Sequence, residues 1–146
     1  MSDALDKIIT SSPTDHVKVE LLLASPLRRA LQTCQLSFAP GIERGLVVVA
    51  VPHAEEVSTT PSDTGSPVDE LREEFGEVDF NFLKEKWYLR EGEFSSDPKA
   101  VNERAKKLRR WIKQRPEREI ALVSHGFFNH FLTGEVTDEG EQTTPW

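Results

Sequence analysis

The chain has 146 residues, a formal net charge of −7 at pH 7 and one cysteine, Cys34. That length fits one domain with a core of its own, residues 1–146. The acidic balance argues against nucleic acid as a partner, because a phosphate backbone wants a basic face, and a lone cysteine gives no internal disulfide framework.

No apolar run approaches the roughly 18 residues of a membrane span, and no leader-like stretch opens the chain. The expectation is a cytoplasmic protein with no membrane partner. Hydrophobic residues make up 37% of the chain, low for a packed α/β domain. The hydrophilic stretches 52–70 and 134–146 account for part of that and read as loops or tails. There is no internal repeat.

In chain order, Ala4, Leu5, Ile8 and Ile9 recur at helical spacing, so 4–12 reads as a short helix broken by Pro13 and Asp15. Val19–Ala24 is an apolar run closed by Ser25-Pro26, the pattern of a buried strand stopping at a helix start. Ser25 suits the N-cap and Pro26 the first helical position, where no N–H is needed. The helix then covers Leu27–Phe38, with Ala30, Leu31 and Cys34 inward. Leu46–Val51 is six consecutive apolar residues, a second buried strand. Pro52 to Pro67 is a loop rich in Ser, Thr, Pro and acids, and Val68–Phe75 a short helix.

Phe80 to Phe94 holds Phe80, Phe82, Leu83, Trp87, Tyr88, Leu89 and Phe94. This cluster reads as a lid on the sheet edge, with a substrate-facing wall as the alternative. Asp97-Pro98 opens a helix to about Arg115, with Val101, Ala105, Leu108 and Ile112 on one face. The basic run Lys106, Lys107, Arg109, Arg110, Lys113 and Arg115 suits the helix dipole. It reads as a solvated face, with a binding patch as the alternative. Ile120 to Ser124 is a third strand, and Phe127–Leu132 a helix after the His125-Gly126 turn. Alternating strands and helices predict an α/β fold, a mainly parallel sheet flanked by helices.

Two of these strands end in chemistry. Arg29 lies in the first helical turn behind one, and His125 directly behind another. The carboxyl edge of an open α/β sheet is where ligands bind. A guanidinium binds a phosphoryl group bidentately and stays charged. An imidazole before a helix start can donate to a phosphoryl oxygen. Together they suggest a phosphate site.

The segments that carry this site resemble the histidine phosphatase superfamily, the phosphoglycerate-mutase-like proteins. Ser25, Leu27, Arg29, Ala30 and Thr33 match its Ser-x-Leu-x-Arg-Ala-x-x-Thr element. Val123-Ser124-His125-Gly126 matches its second-histidine element. Glu56-Val57-Ser58 and Asp63-Thr64-Gly65-Ser66 match a subgroup, and Trp87, Arg104-Ala105 and Trp146 are further echoes. The resemblance implies a phosphorylated small molecule as ligand. It implies Arg29 rather than Arg28 as the phosphate ligand, His125 as a catalytic group, Glu56 as proton donor to the leaving group, and Ser66 as a substrate contact. It also implies metal-free chemistry with no cofactor, and no zinc spacing is visible. His53 and His130 match no family position.

The family's nucleophile is a histidine in an Arg-His-Gly element on the first strand, and this sequence contains no such element. Its histidines are His16, His53, His125 and His130, and only His125 precedes a glycine. The 18 residues ahead of Val19 leave little room for a strand plus a crossover of about a dozen residues. With a stop at Trp146, the expectation is the family pattern shortened at both ends, a partial domain. Two readings stay open. One is a phosphatase-type hydrolase, favoured over a mutase. The other is an inactive family member that binds a phospho-ligand or a protein. A shortened sheet would also expose edges prone to self-association.

Overall fold

The computed structural model describes residues 19–143. The helix expected over 4–12, His16 and Trp146 lie outside them. The first strand, β1 (Leu21–Ala24), comes from the apolar run Leu-Leu-Leu-Ala, and its last three residues are buried. Pairing runs one residue further, where the Ser25 N–H donates to the Val123 carbonyl at 2.9 Å. Pro26 has no N–H to continue it.

Helix α1 spans Arg28–Ser37 with Leu27, in extended conformation, at its N-cap. The expected cap at Ser25, with Pro26 as first helical residue, is therefore two positions early. The physical reason is that Ser25 has another partner. Its Oγ accepts the Leu27 N–H at 3.3 Å and pairs with His125 Nε2 at 2.8 Å. Ala30, Leu31 and Cys34 are buried as expected, and burial pushes the Cys34 thiol up to about 12. An unexpected short helix, α2 (Ala39–Glu43), follows the fully buried Phe38.

Strand β2 is Val48–Ala50, shorter than the apolar run predicts. Leu46 spends its N–H on the Gly41 carbonyl at 3.0 Å, still in the α2 turn, and Val47 is half exposed. Helix α3 is Val68–Glu74, α4 Pro98–Lys113, β3 Ile120–Val123 and α5 Gly126–Leu132. The sheet has the order β2-β1-β3 and every pair is parallel, with Leu23 opposite Val49 and Leu122. The expected parallel α/β architecture holds.

Alternation along the strands divides the core in two. Leu22, Ala24, Val48, Ala50, Ala121 and Val123 pack with Leu31, Cys34 and Leu71 of α1 and α3 on one face. Leu23 and Leu122 pack with Val101, Leu108, Phe128 and Phe131 of α4 and α5 on the other. Each Leu, Val or Phe among them, fully buried, contributes roughly 1.5–3 kcal/mol. No described helix is long and apolar enough to cross a membrane.

The aromatic segment covers the β2 side of the sheet. Asp79 bridges to Val49, accepting from the Ala50 N–H at 2.9 Å and donating to the Val48 carbonyl at 2.8 Å. Phe80, Leu83 and Trp87 are buried behind it, whereas Phe82 and Leu89 are part-exposed. The lid reading describes this packing. The basic run on α4 departs from a uniformly solvated face. Arg109 donates to the Phe131 and Leu132 carbonyls at 3.2 and 2.6 Å, satisfying orphan acceptors at the end of α5.

Gly65 shows what the Asp63-Thr64-Gly65-Ser66 motif needs. Its backbone is not left-handed; instead a Cβ there would land on the buried Trp87 ring. That ring also donates Nε1–H to the Ser66 carbonyl at 2.9 Å. Gly65→Ala is therefore expected to lower the unfolding free energy by roughly 1–3 kcal/mol, as overpacking does. Gly126→Ala, where a Cβ meets no atom within 4 Å, is expected to cost nothing. Urea unfolding of the two variants against the wild type checks the contrast.

Candidate functional site

Strand register brings the two matched elements together. β1 and β3 run side by side, so Ser25 and the residues after Val123 leave the sheet at the same edge. The Arg29 guanidinium of α1 reaches His125 there, Nη2 lying 3.3 Å from Nδ1. Arginine can only donate, so His125 Nδ1 is the acceptor and carries no proton. The other ring nitrogen, Nε2, then bears the hydrogen and donates it to Ser25 Oγ at 2.8 Å. The structure thus assigns His125 as the neutral Nε2–H tautomer. Burial, then the charge of Arg29, pull its pKa down to about 4.

Arg29 is also held from the opposite side. Nη1 donates to the Ser62 carbonyl and Nη2 to Asp63 Oδ1, both at 2.6 Å. Burial raises the Asp63 pKa, but the hydrogen bond and charge of Arg29 outweigh it and hold the carboxyl below its usual range. Asp63 was not singled out from the sequence, although it opens the matched Asp-Thr-Gly-Ser run. The Arg29 side chain is 47% exposed, so its pairing is discounted for solvent screening and the group stays open to a ligand.

Arg28 behaves differently. It donates Nε to Glu74 at 2.6 Å and Nη1 to Ser66 Oγ at 2.5 Å, with Glu70 at 3.7 Å. Two carboxylates of α3 offset its charge. Ser66 sits with both arginines and Gln32 on a cavity of about 400 Å³ between α1 and the 61–66 turn. His125 and Glu56 are not part of that cavity lining.

The 52–67 stretch is a loop as expected, but its first residues are buried and only the later ones are solvated. Ala54 and Glu55 are fully buried and Glu56 is 8% exposed. Glu56 Oε1 accepts the Phe128 N–H and the Val57 N–H, both at 3.0 Å. The start of α5 was expected to offer its N–H groups to a phosphate; Glu56 already takes the Phe128 one. Glu56 thus stands one helical turn from His125, fixed by the helix that follows it.

Sequence reading missed two arginines that hold this loop. Arg104, 1% exposed, donates Nη1 to the His53 and Glu55 carbonyls at 2.8 Å. Its Nη2 donates to the Glu56 carbonyl at 3.3 Å, and burial pulls its pKa down to about 10. Arg90 donates Nη1 to the Glu56 carbonyl at 2.7 Å, and Nη2 to the Ser58 and Asp63 carbonyls at 2.9 and 2.6 Å. Glu55 Oε1 lies 3.3 Å from Arg90. Burial pushes the Glu55 carboxyl up to about 7, against the pull of Arg90 and Arg104. The Arg104-Ala105 echo was the one signal for Arg104; nothing in the sequence marked Arg90.

The other described histidines lie elsewhere. His53 stacks on Phe94 at 5.3 Å near Glu93, and His130 is hydrogen-bonded to Glu135. Among the described residues no cluster of three His, Cys, Asp or Glu could hold a metal ion.

With this geometry, comparison with known proteins is informative. The family model for the histidine phosphatase superfamily (branch 1) matches residues 4–146, and the chain belongs to that superfamily. It is 28% identical over 115 residues to a probable phosphatase of Schizosaccharomyces pombe, covering 77% of this chain and 53% of that protein. It is 27% identical over 158 residues to phosphoglycerate mutase-like protein 1 of Arabidopsis thaliana, covering 89% and 56%. The chain spans about half the length of these curated relatives. No solved structure matches it significantly.

The His125 assignment can be checked directly. Its folded pKa, about 4, lies below the ordinary 6.5. The stability it contributes is therefore full above pH 6.5 and lost as pH falls toward 4. Glu55, raised from 4.5 to about 7, has the opposite sign: its contribution is lost as pH rises through 7. A bulk stability profile would mix the two, so the histidine is best watched alone. Ring ¹⁵N NMR is expected to show neutral Nε2–H imidazole until pH approaches about 4. Arg29→Ala should move that midpoint upward, and a wild-type midpoint near 6.5 would refute the assignment.

Proposed function

We propose that this chain binds the phosphoryl group of a phosphomonoester at the carboxyl edge of its sheet, against Arg29 and His125. The observation that carries the reading is their juxtaposition, Nη2 to Nδ1 at 3.3 Å, from segments 96 residues apart that both match the family. Membership of the superfamily and likeness to a probable phosphatase and a phosphoglycerate mutase-like protein support phosphoryl chemistry, with phosphatase favoured over mutase.

The chemistry follows from the donors. Three contacts occupy Arg29, to Ser62, Asp63 and His125. Five N–H groups are available on a guanidinium, so others remain for phosphoryl oxygens. A dianion beside Arg29 would offset the charge that helps keep His125 neutral. His125 could then take a proton at Nδ1 and donate from it, balancing the charge that develops on the transferring group. Glu56 is the proposed proton donor to the leaving oxygen, and Ser66 a contact for the rest of the substrate in the neighbouring cavity.

In the full reaction the phosphoryl group would pass to a histidine nitrogen as the P–O bond to the leaving group breaks. Water would then attack phosphorus and release phosphate. The attacking nitrogen must be unprotonated and aimed at phosphorus. His125 Nδ1 is unprotonated but faces Arg29, and Nε2 is committed to Ser25. Among the described residues no other histidine is bonded to Arg29. This favours the second reading for these 146 residues taken alone: phospho-ligand binding without turnover.

Calorimetry with inorganic phosphate or vanadate tests the binding. A charge-assisted hydrogen bond is worth roughly 1.5–3 kcal/mol, so Arg29→Ala is expected to weaken affinity by about tenfold or more, and Arg28→Ala by clearly less. Equal losses would mean that the wrong arginine was chosen. For turnover, the purified 146-residue chain is expected to hydrolyse a chromogenic phosphomonoester near pH 5 to 7 at or barely above background. Robust hydrolysis abolished by His125→Ala would show instead that His125 acts as the nucleophile.

A further inference from the structure

The loop from His53 to Asp63 carries both carboxylates of the site, yet it has little regular structure to fix it. It holds only two three-residue helical turns, Pro52–Ala54 and Pro61–Asp63. What fixes it are the guanidinium groups of Arg90 and Arg104, brought in from outside the loop. Between them they donate to the carbonyls of His53, Glu55, Glu56, Ser58 and Asp63. Arg104 is 1% exposed and lies over the Phe128 ring, 4.4 Å from its centroid. The Arg90 side chain is 9% exposed, with the fully buried Glu55 as counter-charge.

Burying a guanidinium costs several kcal/mol unless hydrogen bonds and an opposite charge offset it. A loop that needed only anchoring could be packed with apolar side chains at lower cost. The carbonyls chosen are also specific. Two of them belong to Glu56 and Asp63, whose side chains face the site. Arg90 grips the Asp63 carbonyl at 2.6 Å, the Asp63 carboxylate grips Arg29 at 2.6 Å, and Arg29 meets His125. One hydrogen-bonded chain thus joins a buried arginine to the phosphate site.

We propose that Arg90, assisted by Arg104, is a positioning residue for phosphoryl binding: it sets the loop so that Asp63 aligns Arg29 against His125. The inference rests on the reading that Arg29 and His125 bind the phosphoryl group. It gives Asp63 a definite sign. A carboxylate beside an anion site could compete for the arginine, and its removal would then tighten binding. Here it orients the arginine, and its removal loosens binding.

The experiment uses the full chain and inorganic phosphate. Arg90→Lys keeps the positive charge but not a planar fork able to hold three carbonyls at once. Thermal unfolding confirms that the variant is folded. Phosphate affinity is expected to fall about fivefold or more, as the loss of one well-oriented charge-assisted hydrogen bond implies. The His125 ring ¹⁵N midpoint is expected to rise as Arg29 loses its orientation. A merely structural anchor would move neither, and because the charge is kept, a midpoint shift reports geometry. Asp63→Asn is a near-isosteric change in a surface turn and decides the matter should Arg90→Lys not fold; it is expected to weaken phosphate binding as well. Wild-type affinity in Arg90→Lys, or wild-type or tighter binding in Asp63→Asn, overturns the proposal. If Arg29→Ala also binds phosphate normally, it is the phosphate-site reading that has failed, not its positioning.

Discussion

The contact between Arg29 and His125 exists because β1 lies between β2 and β3 with every pair parallel. Parallel pairing sends all three chain segments out of the sheet at the same edge. Register then decides what meets there. Ala24 stands opposite both Ala50 and Val123, so Ser25, the 52–56 segment and Ser124-His125 leave side by side. A slip of one residue would turn each strand's buried set to the other face and separate Ser25 from His125. The packing of Leu22 and Ala24 on one face and Leu23 on the other is therefore also what holds the site together.

Packing alone would leave the loop after β2 undefined, and there the fold relies on buried charge. Arg104 and Glu55 are almost wholly inaccessible, and neither Glu55 oxygen accepts a hydrogen bond from a protein donor. Arg90 compensates it through space, at 3.3 Å. Such a cluster is an expensive way to gain stability, since apolar residues of similar volume often serve as well or better. What it provides is direction: each guanidinium fixes several carbonyls at once, in a plane. The loop gains one conformation from donors far away in the chain, not from its own turns.

The fold was legible because periodicity reports burial. The runs Val19–Ala24, Leu46–Val51 and Ile120–Ser124 each gave a strand, and the α4 stripe Val101, Ala105, Leu108 a buried face. The errors came where a group had a hydrogen-bond partner that the local pattern does not reveal. Ser25 looked like a cap because capping is the usual use of a serine before proline, but His125 claims its hydroxyl. Leu46 looked like strand, but its N–H closes the α2 turn. The site was legible in part. Arg29 and His125 follow buried strands, a pattern local to each segment. The partnership of Arg29 with Asp63 and of Arg90 with four loop atoms spans 27 to 35 residues, and composition carries no trace of pairings at that distance. Glu55 and Glu56 looked solvated because acidic residues seldom lie inside; Arg90 beside Glu55 and the Phe128 and Val57 N–H groups on Glu56 make their burial tolerable.

The charge arrangement also reconciles an acidic protein with an anion site. A net charge of −7 acts at long range, where salt screens it within about 10 Å. At contact distance the balance is different. Arg29, Arg90 and Arg104 all bear on His125, against Asp63, and the Glu55 carboxyl, held near 7, is only partly ionised around neutrality. At the His125 ring the three guanidinium groups therefore outweigh Asp63, although the protein as a whole is acidic. An anion would bring further counter-charge, and the histidine, kept neutral by burial first and by those arginines second, would be the group to answer it by taking up a proton. On the proposed reading, binding and protonation would be coupled through Arg29, because the guanidinium that would meet a phosphoryl group also touches the imidazole.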